Sequence, residues 1–426
     1  MNQSLRLRVN NEIGAWRNGL VTALDVGTSK IVCVIGQAEG GALRVLGSAL
    51  RESGGLRAGA VTSLEDAESA IRECVAAAES MADARIHNVL IGVGGGQPVS
   101  VNSRAVMTLD GALVGDEHLR ALLAEARSRC RLDGYEIIQS APTAYMVDEA
   151  RGVQNPSGMF CQNIGVAMHA VAVRPSPLAN LKLAVERCHL NVVGSLFSAH
   201  ASGLATLTED EKQIGATVID MGGGTTTVAV FLEGHLVHAD VVPYGGVAVT
   251  NDIARTLAAP LAAAERAKTL HGAALGDMEG GSDVVTLAQT GEDGDDSLLR
   301  LPRSMLTRII QARLEEILGE VQTRLRAANF DVAAGSRLVL TGGACQLPGT
   351  RELAARILNK QVRIGRPQTF AGLAGASAGP DYATAIGLLM AGALLPPEVL
   401  NPELAGENES GKGQNWFGRL TGRWLK

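Results

Sequence analysis

Short apolar runs of β type occur at two places in the chain, each time with the same punctuation. The run 20–25 ends in Asp25, the turn Val26-Gly-Thr-Ser29 follows, a second run fills 30–35, and a third, 42–50, comes after Gly40-Gly41. The pattern returns as the run 216–220 ending in Asp220, the turn Met221-Gly-Gly-Gly-Thr-Thr226, the run 227–232, the turn Glu233-Gly234 and the run 235–242. Run length, β-branched content and glycine punctuation predict strands here. Each meander leads into helical spacing: Ile71, Cys74, Val75, Ala78 and Met81 in the first copy, Val249, Ile253 and Leu257 in the second. Further strands are predicted at 89–93 and 192–197 in one half, and at 338–341 and 361–364 in the other. Asp25 and Asp220 stand 195 residues apart (220 − 25). The repeat predicts an α/β protein with two related lobes facing each other across a cleft.

Two segments interrupt the repeat. Residues 96–161 carry a strand-like piece (99–108), a helix (116–130), Pro142 and Pro156, and read as an inserted subdomain. A second insertion covers 251–335 and ends in a long amphipathic helix, 303–325, marked by Leu306, Ile309, Ile310, Leu314, Ile317, Leu318, Val321 and Leu325. No Lys or Arg falls between Lys268 and Arg300, whereas seven acids lie from Asp277 to Asp296, which reads as a solvated acidic loop. Asp293-Gly-Asp-Asp296 lacks the alternating ligands of a calcium loop. The uncharged stretch 382–395 is shorter than the roughly 20 residues a spanning helix needs and is predicted as a buried core helix.

Composition narrows the class. The 426 residues hold 38 Lys+Arg against 44 Asp+Glu, a net charge of −6, which argues against nonspecific nucleic-acid binding. Six scattered cysteines with no CxxC pair exclude a disulfide scaffold or zinc ribbon and suit a reducing compartment. The first nineteen residues are polar, carry Arg6, Arg8 and Arg17, and give no signal-peptide pattern, so a cytosolic body is expected. His235 and His238 lie on one strand without nearby cysteine and read as structural, not as metal ligands. Ile91-Gly-Val-Gly-Gly-Gly96 is followed by Pro98 and a β-type run, not by the helix a dinucleotide loop requires.

The paired turns carry the chemistry. Gly27, Gly222, Gly223 and Gly224 let the backbone approach an anion; Thr28, Ser29, Thr225 and Thr226 add hydroxyl donors, and Lys30 adds a positive charge. Asp25 and Asp220 would repel phosphate, and they make sense with Mg²⁺ held through water between carboxylate and phosphate. One such turn alone also suits a plain hairpin; two at equivalent places in a repeat point to a nucleotide clamp. A third element, Leu340-Thr-Gly-Gly-Ala-Cys-Gln-Leu-Pro-Gly349, sets Gly342, Gly343 and Ala344 where adenosine can lie on backbone, or forms an ordinary strand-to-helix turn. In the fourth, Glu265 and Lys268 share a helical face at i, i+3, suited to ribose hydroxyls and to covering adenine with the lysine stem, or equally to a surface ion pair.

Together these elements resemble the actin, Hsp70 and sugar kinase ATPase superfamily, and within it the bacterial cell-division family FtsA. The likeness rests also on Pro243-Tyr-Gly-Gly246, Thr250-Asn-Asp-Ile253, Asn155-Pro-Ser-Gly-Met159 and Tyr382-Ala-Thr-Ala-Ile-Gly387. It implies a duplicated, actin-like two-lobe α/β ATPase fold with two inserted subdomains and a C-terminal amphipathic membrane helix. The implied map is a flexible N-terminus (1–19), a first lobe (20–95 and 162–212) with its division-type insert (96–161), a second lobe (213–250 and 336–395) with its own insert (251–335), a linker (396–413) and a membrane helix (414–426). The resemblance further implies ATP and Mg²⁺ as cofactors and self-association into actin-like filaments. It implies a peripheral protein on the cytoplasmic face of the inner membrane at the division septum, tethering the FtsZ tail and recruiting downstream division proteins. Thr227 stands where many superfamily members carry a second acid, so ATPase activity is expected to be slow at most; Gln139 lies near the stretch where a catalytic residue is sought. A sugar-kinase-like phosphotransferase and a pilus-assembly ATP-binding protein are the competing readings.

Two surfaces are expected to meet partners. At roughly 100° per residue, Trp416, Phe417, Leu420 and Trp424 form one apolar stripe of the tail, flanked by Arg419, Arg423 and Lys426, as suits a helix lying on anionic lipid; docking on the core is the other use of such a stripe. FtsA relatives dock the FtsZ tail on the second insert, where Arg303 and Arg308 begin the long helix and suit an acidic peptide, or face solvent only.

Overall fold

The computed structural model describes residues 19–39, 42–276, 284–290, 298–333 and 335–402. The repeated meanders are strands, slightly longer than the sequence pattern marks them. In the first lobe β1 (Gly19–Val26), β2 (Lys30–Glu39) and β3 (Ala42–Glu52) are antiparallel neighbours. A two-residue hairpin follows, β4 (Leu56–Arg57) and β5 (Ala60–Val61), and then the helix Leu64–Ala82, started by Ser63 as N-cap. Strand β6 (Asn88–Val93) pairs with β1 in parallel.

An inserted sheet contains β7 (Val99–Leu113), β8 (Glu136–Val147), β9 (Ala150–Val153) and β10 (Phe160–Val173) in the order β7-β10-β8-β9, with the helix Asp116–Ser128 packed on it. The insert therefore runs past the expected boundary at 161. β10 is one continuous strand that pairs with β7 as far as Ala172 and with β8 as far as Val173, so the boundary belongs at the strand's end. After the helix Pro175–Glu186, β11 (Asn191–Phe197) closes the first five-stranded sheet, ordered β11-β6-β1-β2-β3.

The second lobe repeats this order. β12 (Ala216–Met221), β13 (Thr226–Leu232), β14 (His235–Val242), β17 (Arg337–Thr341) and β18 (Gln361–Ile364) form the sheet β14-β13-β12-β17-β18, with the same antiparallel meander and the same two parallel neighbours. Its insert holds the helix Leu261–His271, the hairpin of β15 (Val284–Ala288) and β16 (Leu298–Pro302), and the helix Arg303–Ala327. That helix buries Leu306, Ile310, Leu314, Leu318, Val321 and Leu325, as its 3.6-residue spacing requires. The insert does not begin cleanly at 251, because the helix Gly246–Leu257 spans that point.

Two helices cross where the lobes meet. Ser198–Thr206 is buried at every position, and Ala383–Leu394 is buried from Ala383 to Ala393. Their backbones touch at Gly387, where a Cβ would lie 1.8 Å from the Ala201 carbonyl oxygen. The stretch 382–395 is thus the expected core helix; among the described residues no helix is long and apolar enough to cross a membrane. The chain then docks through Pro397–Leu400, with Val399 and Leu400 buried, so the first residues of the expected linker are part of the body.

A histidine junction ties the first insert to both lobes. Ala239 N–H of β14 donates to Ser100 Oγ at 2.8 Å, which leaves the Ser100 proton for His169 Nε2 at 2.7 Å. Gln139 Nε2 donates to His200 Nδ1 at 3.0 Å while its carbonyl accepts from Phe197 N–H at 2.8 Å. Burial lowers both imidazoles to about 3, so both are neutral.

Candidate functional site

The repeat places its two glycine turns opposite each other at the cleft. β1 delivers Asp25 and then residues 27–29; β12 delivers Asp220 and then residues 222–225; the return strands pair Asp25 with Val32 and Asp220 with Thr227. Each turn is closed by its own backbone, Gly27 N–H to the Lys30 carbonyl at 3.0 Å and Gly222 N–H to the Thr225 carbonyl at 2.9 Å. The second turn is braced from behind, since Gly246 and Val247 N–H donate to the Gly222 and Gly223 carbonyls at 3.0 and 2.9 Å. The turns touch: a Cβ on Gly224 would lie 2.2 Å from Thr28 Oγ1.

A cavity of about 410 Å³ opens between them. Of the expected ligand-binding residues, Asp25, Gly27, Thr28, Ser29, Lys30, Asp220, Gly222, Gly223, Gly224, Thr225, Glu265, Lys268, Gly342, Gly343 and Ala344 all line it. Thr226 does not. Side chains alternate faces along β13, so Thr226 points inward, fully buried, and donates to the Tyr244 carbonyl at 2.9 Å, while Thr227 faces the cavity.

Electrostatics mark the floor. Desolvation raises the Asp25 carboxyl to about 7 against the lowering pull of Lys30, and the nearby Asp220 charge adds to the rise. Asp220 is buried, and its Oδ2 accepts from Ser202 Oγ at 2.6 Å and Thr384 Oγ1 at 2.8 Å. Lys30 reaches the Asp381 backbone carbonyl and lies 3.8 Å from the Asp381 carboxylate. Gly342 sits at φ 86°, where a Cβ would come 2.3 Å from Asp220 Oδ1, so only glycine fits this crossing.

At the other end, Lys268 Nζ donates to Glu265 Oε2 (2.7 Å), Thr250 Oγ1 (2.8 Å) and the Gly246 carbonyl (3.1 Å). Its charge is spent within the wall, which leaves the stem and the half-exposed Glu265 to face a ligand. Gln139 is not at the cavity; both ends of its amide are engaged at the histidine junction. Sequence reasoning missed Gly59, Gly92, Gly94, Ser198, Asp381 and Thr384, all of which line the cavity.

The expected partner arginines are not one patch. Arg303 Nε donates to the His271 carbonyl at 2.8 Å, whereas Arg308 is exposed and, five residues on at roughly 100° each, points about 140° away. The expected membrane residues Trp416, Phe417, Arg419, Leu420, Arg423, Trp424 and Lys426 lie outside the described residues.

The duplicated sheets, the crossing helices and the glycine-lined interlobe cavity define an actin-like two-lobe α/β protein. Among solved structures, a chain of the PilM-PilN type IV pilus biogenesis complex superposes with a TM-score of 0.62 at 18% identity, covering 88% of this chain and 98% of that one. MreB5 of Spiroplasma citri bound to ADP superposes with a TM-score of 0.52 at 13% identity, covering 93% and 100%. The chain belongs to the FtsA family of cell division proteins. The family profile Cell division protein FtsA matches residues 217–387, and the SHS2 domain inserted in FTSA matches 95–172, the span of the four-stranded insert. Cell division protein FtsA of Rhizobium meliloti (strain 1021) is 39% identical over 96% of this chain and 95% of its own length. That of Escherichia coli (strain K12) is 32% identical over 96% and 97%.

Proposed function

We propose that the cleft binds ATP with Mg²⁺, and that the nucleotide sets the conformation in which the chain self-associates. The observation that carries this reading is the pair of touching glycine turns at equivalent places of the repeat, each preceded by an acid, around one cavity. ATP phosphates fit the N–H groups and hydroxyls of residues 27–29 and 222–225, and the base and ribose fit Glu265, the Lys268 stem, Gly342, Gly343 and Ala344. Asp25 and Asp220 suit Mg²⁺ held through water: part of the rise of the Asp25 carboxyl comes from the Asp220 charge, and a dication relieves that repulsion. When bound, the cation neutralises phosphate charge. Turnover is slow at most, because Thr227 offers no carboxylate and Gln139 is held elsewhere.

In this reading the chain is a peripheral protein of the cytoplasmic face of the inner membrane. Its amphipathic tail (414–426) holds anionic lipid, its polymer anchors the FtsZ tail at the septum, and later division proteins assemble on it. One tail binds weakly, and many tails on a polymer bind firmly through effective concentration. Imaging the purified protein on anionic vesicles with ATP, with and without FtsZ, tests this. ATP-dependent filaments on the membrane that recruit FtsZ are expected; FtsZ that stays in solution beside membrane-bound protein contradicts the anchoring role.

A further inference from the structure

Asp220 is the acid of the second lobe, yet both hydroxyls on its Oδ2 come from helices at the lobe crossing. Ser202 belongs to Ser198–Thr206 and Thr384 to the first turn of Ala383–Leu394; the two hydroxyls stand 3.0 Å apart, and all three side chains are buried. Residues 380–384 also reach the third loop and the first turn. Thr341 Oγ1 and Gly342 N–H each donate to the Pro380 carbonyl at 3.1 Å, and Asp381 takes Lys30 of the first turn. A Cβ on Gly92 would meet Asp25 Oδ1 at 3.2 Å and Thr384 Cγ2 at 3.3 Å, so Thr384, bonded to Asp220, also borders the glycine that Asp25 packs on. With Oδ2 held by two donors, Oδ1 is the Asp220 oxygen left for a ligand, and it faces side-chain-free Gly342.

We propose that Ser202 and Thr384 are positioning residues that orient Asp220 for a divalent cation carried by a nucleotide, and so link cation binding to the crossing of the two interlobe helices. The proposal rests on the reading of the cleft as a nucleotide site. A carboxylate held by two hydroxyls has one fixed orientation, whereas an unheld one must be ordered when the cation arrives. Because the donors sit on helices that pack at Gly387 and Ala201, a shift of either helix moves the carboxylate with it.

The test compares binding of a fluorescent ATP analogue in Mg²⁺ and in EDTA for the wild type, Thr384→Val, Thr384→Ser and Ser202→Ala. The wild type is expected to bind more tightly in Mg²⁺. Thr384→Val keeps the shape and removes the hydroxyl; it is expected to lose about tenfold of that Mg²⁺ preference, with Ser202→Ala moving the same way and Thr384→Ser keeping it. Lost packing alone would lower affinity in both media and leave the ratio unchanged. A wild-type ratio in Thr384→Val overturns the proposal, as does a wild type that binds nucleotide with no Mg²⁺ preference, although the nucleotide site itself then stands. A wild type that binds no nucleotide overturns both. If Thr384→Val does not fold, the contrast of Ser202→Ala with Thr384→Ser decides in the same way.

Discussion

Ser29 and Gly223, 194 residues apart in sequence (223 − 29), meet so closely that a Cβ on Gly223 would lie 1.8 Å from Ser29 Oγ and 2.7 Å from Ser29 Cβ. The two lobes thus touch through their glycine turns, and the space between those turns is fixed by the absence of a side chain. Gly223→Ala is expected to push the turns apart and lower nucleotide affinity at least tenfold. Adding Ser29→Gly removes the opposing atoms and is expected to restore most of that loss, relative to Ser29→Gly alone. Independent, additive effects in this double-mutant cycle would mean that the contact does not set the clamp.

Asp25 is expected to make nucleotide binding pH-dependent. Its carboxyl is raised to about 7 by burial, with the Asp220 charge adding to the rise, so below that pH much of it is protonated before a cation arrives. Binding of Mg²⁺ and ATP at pH 6.5 is expected to release up to about one proton, visible as a dependence of calorimetric heat on buffer ionisation enthalpy. Affinity is expected to rise with pH and level off above about 7. Asp25→Asn is expected to abolish the proton release; the same release from that variant would assign the proton to another group.

The histidine junction sets acid stability through the opposite shift. His169 and His200 are held near 3 in the folded chain against 6.5 when unfolded. Between those values the unfolded chain binds protons that the folded one does not. Their stabilisation is therefore complete above about 6.5 and lost as pH falls, by about 1.4 kcal/mol per pH unit for each. The raised Asp25 runs the other way, its contribution full below about 4 and lost as pH rises through about 7. His200→Gln is expected to melt lower than wild type at pH 7.5 but to lose less on acidification to pH 5. Parallel melting curves across that range would show that His200 is not proton-linked.

What could be read from the chain was what lies close together in it. Asp25 with Gly27 and Asp220 with Gly222 form single turns, so residue type and spacing sufficed, and the repeat named the fold. Lys268 and Glu265 share one helix turn and were equally legible. Thr384 and Asp381 were not, because their partners Asp220 and Lys30 lie 164 and 351 residues away, and only the folded crossing of helices brings them together. Thr226 was misplaced because a run of threonines does not reveal which member a strand turns inward. The insert boundary was set too early because β10 is an unbroken strand, with no composition change after Cys161 to mark that it runs on to Val173.

The tail offers a separate test. Its apolar stripe with flanking arginines suits a bilayer surface, and an ordering cost of about 1 kcal/mol each at Gly418 and Gly422 is expected to keep the binding of a single tail weak. Deleting residues 414–426, or Trp416→Glu with Trp424→Glu, is expected to release the protein from anionic vesicles in flotation. Flotation of the deleted protein at wild-type level would place the anchor elsewhere.

The most direct test of the nucleotide cleft is ATP titration in the presence of Mg²⁺, by calorimetry, of the wild type and Asp220→Asn. Binding of one ATP per chain is expected for the wild type, and at least tenfold weaker Mg²⁺-dependent affinity for a variant that melts at an unchanged temperature. Equal affinity in the two proteins would contradict the placement of the cation between Asp25 and Asp220, and no ATP binding by the wild type would contradict the cleft's assignment altogether.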